Sequence, residues 1–339
     1  MTTPLPGRRT PVWQLLLGLV ISAGLLYLAL RGIHFREVLA YVQRARWIPL
    51  LLAVSLATLT FALRIFRWQL LLTAEDGRRL PAGPLWHAIA MGFMANNVLP
   101  LRVGEVIRIY AAARLTGTRF TAVLASIAVE RLFDVITVVS LLALGLFTAR
   151  LPDSQIGGFG IGRIVTVAGL AALAGLVIAA SIAAFPLVAE RLVRRLVPAH
   201  RIANRIVGMI EGVRQGFSAL HSPTRVAGAI GWSFVIWGVS AASFYTMFAA
   251  FGIEVNFPGA LLLQGLIMAG IALPSTPGYV GAFELPIIAL LALYGVDRDL
   301  AAAYALTYHV ATFLPITTLG AWSVFRTKLG LGDLRRGNV

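Results

Sequence analysis

The chain has 339 residues, 58% of them hydrophobic and 13% charged, with a mean hydropathy of +0.83; a water-soluble domain carries about 25% charged residues and could not cover so much apolar surface. The formal charge of +15 comes from 28 Arg and one Lys, Lys328, against 14 acids. Most of the Arg flank apolar runs, as the positive-inside rule expects, so the excess is a compositional bias and not a nucleic-acid surface, while the lack of cysteine excludes disulfides, thiolate catalysis and cysteine metal sites.

Arg8 and Arg9 precede an apolar run with no small-residue cleavage site behind it, which reads as a retained first span. Full spans are expected at about 12–30, 47–73, 121–149, 162–186, 226–251 and 299–325, each long enough to cross a hydrocarbon core of roughly 30 Å. Two regions between them differ. In residues 86–114 an apolar run stops at Asn96-Asn97, breaks at Pro100 and resumes with Arg102, Glu105 and Arg108. In residues 259–294 the break is Pro274-Ser275-Thr276-Pro277-Gly278. Each half is too short for a comfortable span, so both regions read as re-entrant helical hairpins.

The segment 187–225 holds seven Arg, and the tail after the last span adds Arg326, Lys328, Arg335 and Arg336, which assigns both to the cytoplasm. Segments 252–258 and 295–299 carry one Arg against three acids and are assigned outside. The first hairpin then enters from the cytoplasm and the second from outside, with both termini cytoplasmic. One segment fits badly: 31–46, external in this scheme, carries Arg31, Arg36, Arg44 and Arg46. Residues 187–225 form either a basic linker or an amphipathic surface helix, since Ile202, Ile206, Met209, Ile210, Val213 and Phe217 recur at helical spacing.

The expected architecture is an all-α polytopic membrane protein, a single transmembrane domain over 1–339 with about six full spans and two hairpins. Residues 47–149 and 226–325 both read span, hairpin, span, and Leu99-Pro100 before Gly104-Glu105 is echoed by Leu273-Pro274 before Gly281 and Glu284. That is the pattern of an inverted-topology repeat, which in transporters puts a substrate site near the midplane.

Three constellations could carry chemistry. An ionised side chain costs about 2.5–3.5 kcal/mol at a helix centre in lipid, so Arg102, Glu105 and Arg108 must face protein or water. Together with Asn96 and Asn97 they form either an anion dock, with Arg102 beside the N-terminus of the second half-helix, or a self-neutralising i, i+3 network. Glu130, Arg131 and Asp134 lie on facing turns near the start of one span, at the depth of Arg64 and Arg67 on another. They would hold the fold or form a cytoplasmic gate. In the second hairpin Ser275 and Thr276 would line a cavity, Gly278 and Gly281 would supply positive φ or close approach, and Glu284 would pair with an Arg or take a proton.

The remaining features carry less. Asp297-Arg298-Asp299 resembles a glycosyltransferase acidic pair but stands alone and suits a helix cap. The five His have no ligand spacing, so no metal is expected; His309, beside Tyr308 in the last span, is a cavity-lining candidate. The absence of a P-loop argues against direct ATP use, and no cofactor is expected.

The stretch Asn96–Tyr110 (NNVLPLRVGEVIRIY), the ERLFD at 130–134 and the TPGYVGAFE at 276–284 resemble the signatures of the flippase-like membrane domain of lysylphosphatidylglycerol synthases, also called the MprF or AglD-type transmembrane family. The likeness runs from about residue 12 to 326. It implies movement of lipids with modified or anionic headgroups between leaflets of the cytoplasmic membrane, without catalysis, through Arg102, Glu105, Glu130, Arg131, Asp134 and Glu284. Membrane lipids are then the partners, with a second copy of the chain or a separate lipid-modifying enzyme as further candidates. The rival reading is a membrane-embedded glycosyltransferase acting on a lipid carrier.

Overall fold

The computed structural model describes residues 12–74, 76–99, 103–149, 155–156, 159–160, 222–272 and 277–329, with single positions at 191, 195 and 207. The span expected at 162–186 and nearly all of segment 187–225 lie outside the described residues, as do Arg102, Ser275 and Thr276.

Among the described residues the fold is helical, apart from a two-residue antiparallel ladder, Gln155–Ile156 with Phe159–Gly160, and a single bridge between Thr73 and Arg79. Helix α1 is Val12–Leu30, α2 Phe35–Arg44, α3 Trp47–Leu71, α4 Ala82–Val98, α5 Gly104–Thr116 and α6 Phe120–Thr148. After the undescribed stretch come α7 (Pro223–Phe251), α8 (Phe257–Ala272), α9 (Glu284–Leu293) and α10 (Arg298–Thr327). Helices α3, α7 and α10 are long and apolar enough to cross a membrane. Helices α1 and α2 would add a fourth span if counted together, but they bend by 76° at the Arg31–His34 corner. The expected segment 31–46 is thus largely a short helix, with Val38 buried and Phe35 and Leu39 exposed.

Both breaks fall where the residues demand them. Helix α4 stops at Val98 and α5 starts at Gly104, and Asn96 Oδ1 accepts the free N–H of Gly104 at 2.9 Å, which satisfies a donor at the head of α5. Between α8 and α9 the backbone passes through a 3-10 turn, Pro277–Tyr279, and takes φ of +73° at Gly278 and +82° at Gly281. A Cβ on Gly281 would sit 2.6 Å from Leu26 N and 2.8 Å from Ser22 O, so this turn is pressed against α1. The hairpin helices span 17, 13, 16 and 10 residues; at 1.5 Å per residue α5 and α9 reach only about 15–20 Å.

The packing has an exchange symmetry. Helices α3 and α7 form the most extensive contact, and they run antiparallel along their length. The Arg46 N–H donates to Ala250 O (2.8 Å), Ser243 Oγ to Ala53 O (2.7 Å) and Arg67 Nη1 to Ser233 Oγ (2.9 Å). Around them α4 packs on α10 as α8 packs on α6, and α5 on α6 as α9 on α10. Each packed pair drawn from α3–α6 and α7–α10 has a packed counterpart when the two sets are swapped. The apolar cores follow suit. One, around Trp68, Leu85, Ile89 and Phe133, belongs to α3–α6; the other, around Phe248, Leu263, Ile287 and Tyr304, belongs to α7–α10 with α1 and α2.

Helices α4 and α5 approach closely because both contact positions are glycine. A Cβ on Gly92 would lie 2.8 Å from Arg108 Cβ, and one on Gly104 would collide with Gly92 O and sit 2.5 Å from Asn96 Oδ1. Gly104→Ala is therefore expected to lower stability by at least about 1–3 kcal/mol, the usual range for overpacking against atoms that cannot give way. Thermal unfolding in detergent checks this, with Gly231→Ala, whose Cβ meets nothing within 4 Å, as the unperturbed control.

Candidate functional site

Charge placed inside a membrane protein has to be neutralised by other parts of the protein. Glu130, fully buried on α6, is the centre of that neutralisation. Arg108 from α5 holds it with two parallel bonds, Nη1 to Oε1 and Nη2 to Oε2, both 2.8 Å, the bidentate geometry that makes such pairs strong. The Arg108 guanidinium also lies over the Trp68 ring at 3.9 Å. Arg67 from α3 places Nη2 3.0 Å from Glu130 Oε1 and donates from Nη1 to Asp134 Oδ1 at 2.6 Å. Trp237 of α7 donates its indole N–H to the same Asp134 oxygen at 2.8 Å. At the accessible edge Arg131 reaches Asp134 Oδ2 and Glu105 Oε1, each at 3.3 Å.

Among the described residues four guanidinium groups thus face three carboxylates, and the buried part alone sets Arg64, Arg67 and Arg108 against Glu130 and Asp134. The excess rests on Arg64. This side chain is 94% buried, yet its nearest carboxylate oxygens are 3.8 and 3.9 Å away, beyond hydrogen-bond reach, and its Nε and Nη1 have no acceptor. The rings of Phe93 and Trp237, at 5.2 and 5.5 Å, are its other neighbours. Helix α3 therefore carries two arginines one turn apart with different surroundings: Arg67 lies within 3.0 Å of both acids and donates to Asp134 and Ser233, whereas Arg64 lies 3.8 Å or more from either acid and close to aromatic faces.

Sequence reasoning grouped Arg64, Arg67, Glu130, Arg131 and Asp134 and kept them apart from Glu105 and Arg108; the structure places the five side chains within ion-pair reach of one another. The structure merges the two sets because α5 packs on α6. Glu105 and Arg108 pair with Arg131 and Glu130 across helices and not with each other, so the i, i+3 network does not form between them. Asn96 and Asn97 serve the fold: the first binds Gly104 N–H, and the second donates from Nδ2 to Thr317 Oγ1 at 2.9 Å, tethering α4 to α10. Gly278 lies against Phe313 and the Asn97 carbonyl, so the two hairpin breaks touch.

Glu284 does not meet an arginine among the described residues. Its Oε2 accepts the Gly281 N–H at 2.6 Å, and its Oε1 lies 2.5 Å from Nδ1 of His309 on α10. The ring of His309 is stacked near Phe283, 4.6 Å between centroids. Asp297 caps α10 by accepting the N–H groups of Asp299 and Leu300, and Asp299 binds His34, so both acids of the 297–299 pair are engaged in structure. No group of three metal-ligating side chains occurs among the described residues.

The two sets of helices share a register at these contacts. Arg67 and Glu130 are residue 21 of α3 and residue 11 of α6; Ser243 and Tyr308, hydrogen-bonded at 2.8 Å, are residue 21 of α7 and residue 11 of α10. Trp68 Nε1 donates to Ser126, residues 22 and 7 of α3 and α6, while Tyr304 donates to the Phe244 carbonyl, residues 7 and 22 of α10 and α7. Arg131 and His309 are each residue 12, and each meets the acid in the first turn of a hairpin helix, Glu105 or Glu284. Ser233, Trp237 and the His309 pairing were invisible to motif reading. Counting from helix starts would have exposed the last.

Sequence comparison gives this arrangement its relatives. A UPF0104 membrane protein of Pyrococcus horikoshii is 20% identical over 91% of this chain and 96% of its own. One from Methanothermobacter thermautotrophicus is 24% identical over 84% and 85%. The glycosyltransferase AglD of Haloferax volcanii is 25% identical over 89% of this chain but only 52% of its own length. The family described as the lysylphosphatidylglycerol synthase TM region matches residues 15–320, and this integral membrane protein belongs to it.

Proposed function

We propose that the chain is a lipid transporter of the cytoplasmic membrane, moving a phospholipid or another anionic or modified lipid between leaflets. The observation that carries this reading is the buried charge cluster in which, among the described residues, cations outnumber acids and Arg64 has no acceptor for its Nε and Nη1. A buried uncompensated guanidinium is costly, and a headgroup phosphate would supply both the missing charge and the missing acceptors. The cluster sits where α5 of one hairpin joins α6, and its rim at Arg131 and Glu105 is accessible, with 42% and 33% of those side chains exposed. Residues 47–149 and 226–325 act as inverted halves, supported by antiparallel α3 and α7 and by the matching register of their contacts.

The positive-inside rule supports an orientation. Among the described residues, the end of the bundle where α3 stops and α7 starts carries Arg78, Arg79, Arg114, Arg119, Arg225, Arg326 and Lys328 against Asp76, and we assign it to the cytoplasm. The glycosyltransferase reading is favoured only by the name of one relative. It asks for a carboxylate free to act on a donor, whereas Asp297 and Asp299 are bound to a helix N-terminus and to His34.

Two experiments test this. In a chain without native cysteine, Glu254→Cys should label from outside the cell and Asp76→Cys only from inside; labelling from one side alone would defeat the orientation. In nanodiscs containing phosphatidylglycerol, Arg64→Gln should weaken lipid binding at least about tenfold while its melting midpoint stays within about 3 °C of wild type, because no protein hydrogen bond is lost. Glu130→Gln, which leaves Arg108 without its carboxylate partner, should instead destabilise the fold by about 3–5 kcal/mol. Unchanged lipid binding in Arg64→Gln would overturn the assignment.

A further inference from the structure

We propose that the Glu284–His309 pair carries a proton, and that its loading and release couple lipid movement to a proton gradient. The inference rests on the transport reading for what is driven, but the proton site stands on its own geometry. His309 Nδ1 and Glu284 Oε1 are 2.5 Å apart, with 13% and 3% of their side chains exposed. With the imidazole neutral and the carboxylate ionised, the pair would hold a net negative charge in a low-dielectric interior. One added proton, on either partner, makes it neutral. In this enclosed arrangement the pair therefore holds a proton, and contact with water on one side of the membrane lets it go; the only bond made or broken is the N–H or O–H to that proton.

The groups facing the pair sharpen this. On its own helix Tyr308 stacks on Phe283 and is hydrogen-bonded to Ser243 of α7. Tyr279 of the 3-10 turn interacts electrostatically with Arg131, and α1 approaches the turn at Gly281 through Ser22, Leu25 and Leu26. Helix α8 approaches the same turn at Gly270, against Ala282 and Pro286, and has no ionisable residue. Among the described residues no other charge meets the pair directly. The equivalent register of the first half holds Glu105 with Arg131, a cation that keeps its charge at any physiological pH. The second half has replaced it with the side chain whose charge changes between about pH 5 and 8.

A contiguous path joins the pair to the lipid cluster. Glu284 also fixes Gly281; Gly278, three residues earlier, packs on the Asn97 carbonyl; Asn96 holds the head of α5; and α5 carries Arg108 to Glu130. Loading the pair thus acts on the turn that braces the first hairpin.

The test uses the full chain in phosphatidylcholine–phosphatidylglycerol liposomes with trace fluorescent phosphatidylglycerol and a gradient of one pH unit. A one-proton step can shift the leaflet ratio of the probe by at most about tenfold. A gradient-dependent shift of several-fold is expected in the wild type, and a ratio near unity in His309→Gln and in His309→Arg, which copies the fixed pair of the first half. An equal wild-type distribution with and without the gradient, while the lipid still crosses, would overturn the coupling. No lipid movement at all would defeat the transport reading. The proton site is then decided separately by NMR of isotope-labelled histidine in nanodiscs, assigned by the signal lost in His309→Gln. The His309 ring signal is expected to change with pH and to respond to pH differently in Glu284→Gln. A ring that stays in one state, or ignores Glu284→Gln, would overturn the site.

Discussion

Glu130 is the constraint on which the rest of the structure depends. A carboxylate with no exposed surface on a long apolar helix is tolerable only if cations reach it with good hydrogen-bond geometry, and those cations then need partners of their own. Arg108 satisfies it from α5, Arg67 from α3; Arg67 in turn draws in Asp134 and Ser233, and Asp134 accepts from Trp237. Four helices are thereby fixed around one acid. The hairpin cannot be placed elsewhere without stranding Arg108, and this explains why α4 and α5 accept a glycine-to-glycine contact that leaves no room for any side chain.

The other half of the molecule solves the same packing problem without permanent charge. Where α3 and α6 meet through Arg67 and Glu130, α7 and α10 meet through Ser243 and Tyr308, and where Trp68 meets Ser126, Tyr304 meets Phe244. Around these contacts the rings of Phe244, Phe248, Tyr304 and Tyr308 stack on one another. Matching positions with unlike chemistry separate frame from function. The frame needs a contact at each of these positions, and the chemistry of the contact is free to differ.

Much of this was legible in the sequence, and the reasons are physical. The breaks at Pro100 and at Pro274–Gly278 were readable because proline and glycine end helices locally, and positive φ at Gly278 and Gly281 follows from the same local rule. Arg64, Arg67, Glu130 and Asp134 were readable as a group because charge in an apolar run must find opposite charge. What could not be read were choices made by tertiary packing. Whether Arg108 would turn to Glu105 on its own helix or to Glu130 on the next depends on where α5 docks, and no local preference decides that. The 76° corner before α2 was missed because residues 31–46 were read by charge alone, although Val38, Tyr41 and Val42 give the segment an apolar face.

The antiparallel contact of α3 and α7 has a consequence for direction. Because corresponding helices point opposite ways, a molecule approaching from either leaflet meets the same arrangement of helices turned upside down. Shape alone then cannot tell inward from outward. What breaks the tie is the contents of equivalent positions: fixed ions at Glu105, Arg131, Arg67 and Glu130 on one side, hydroxyls and an imidazole at Tyr308, Ser243 and His309 on the other. On the proposed transport function the chain would be a symmetric passage with asymmetric fittings, in which polarity is written by a handful of side chains and could be reversed or erased by exchanging them, with the scaffold left as it is.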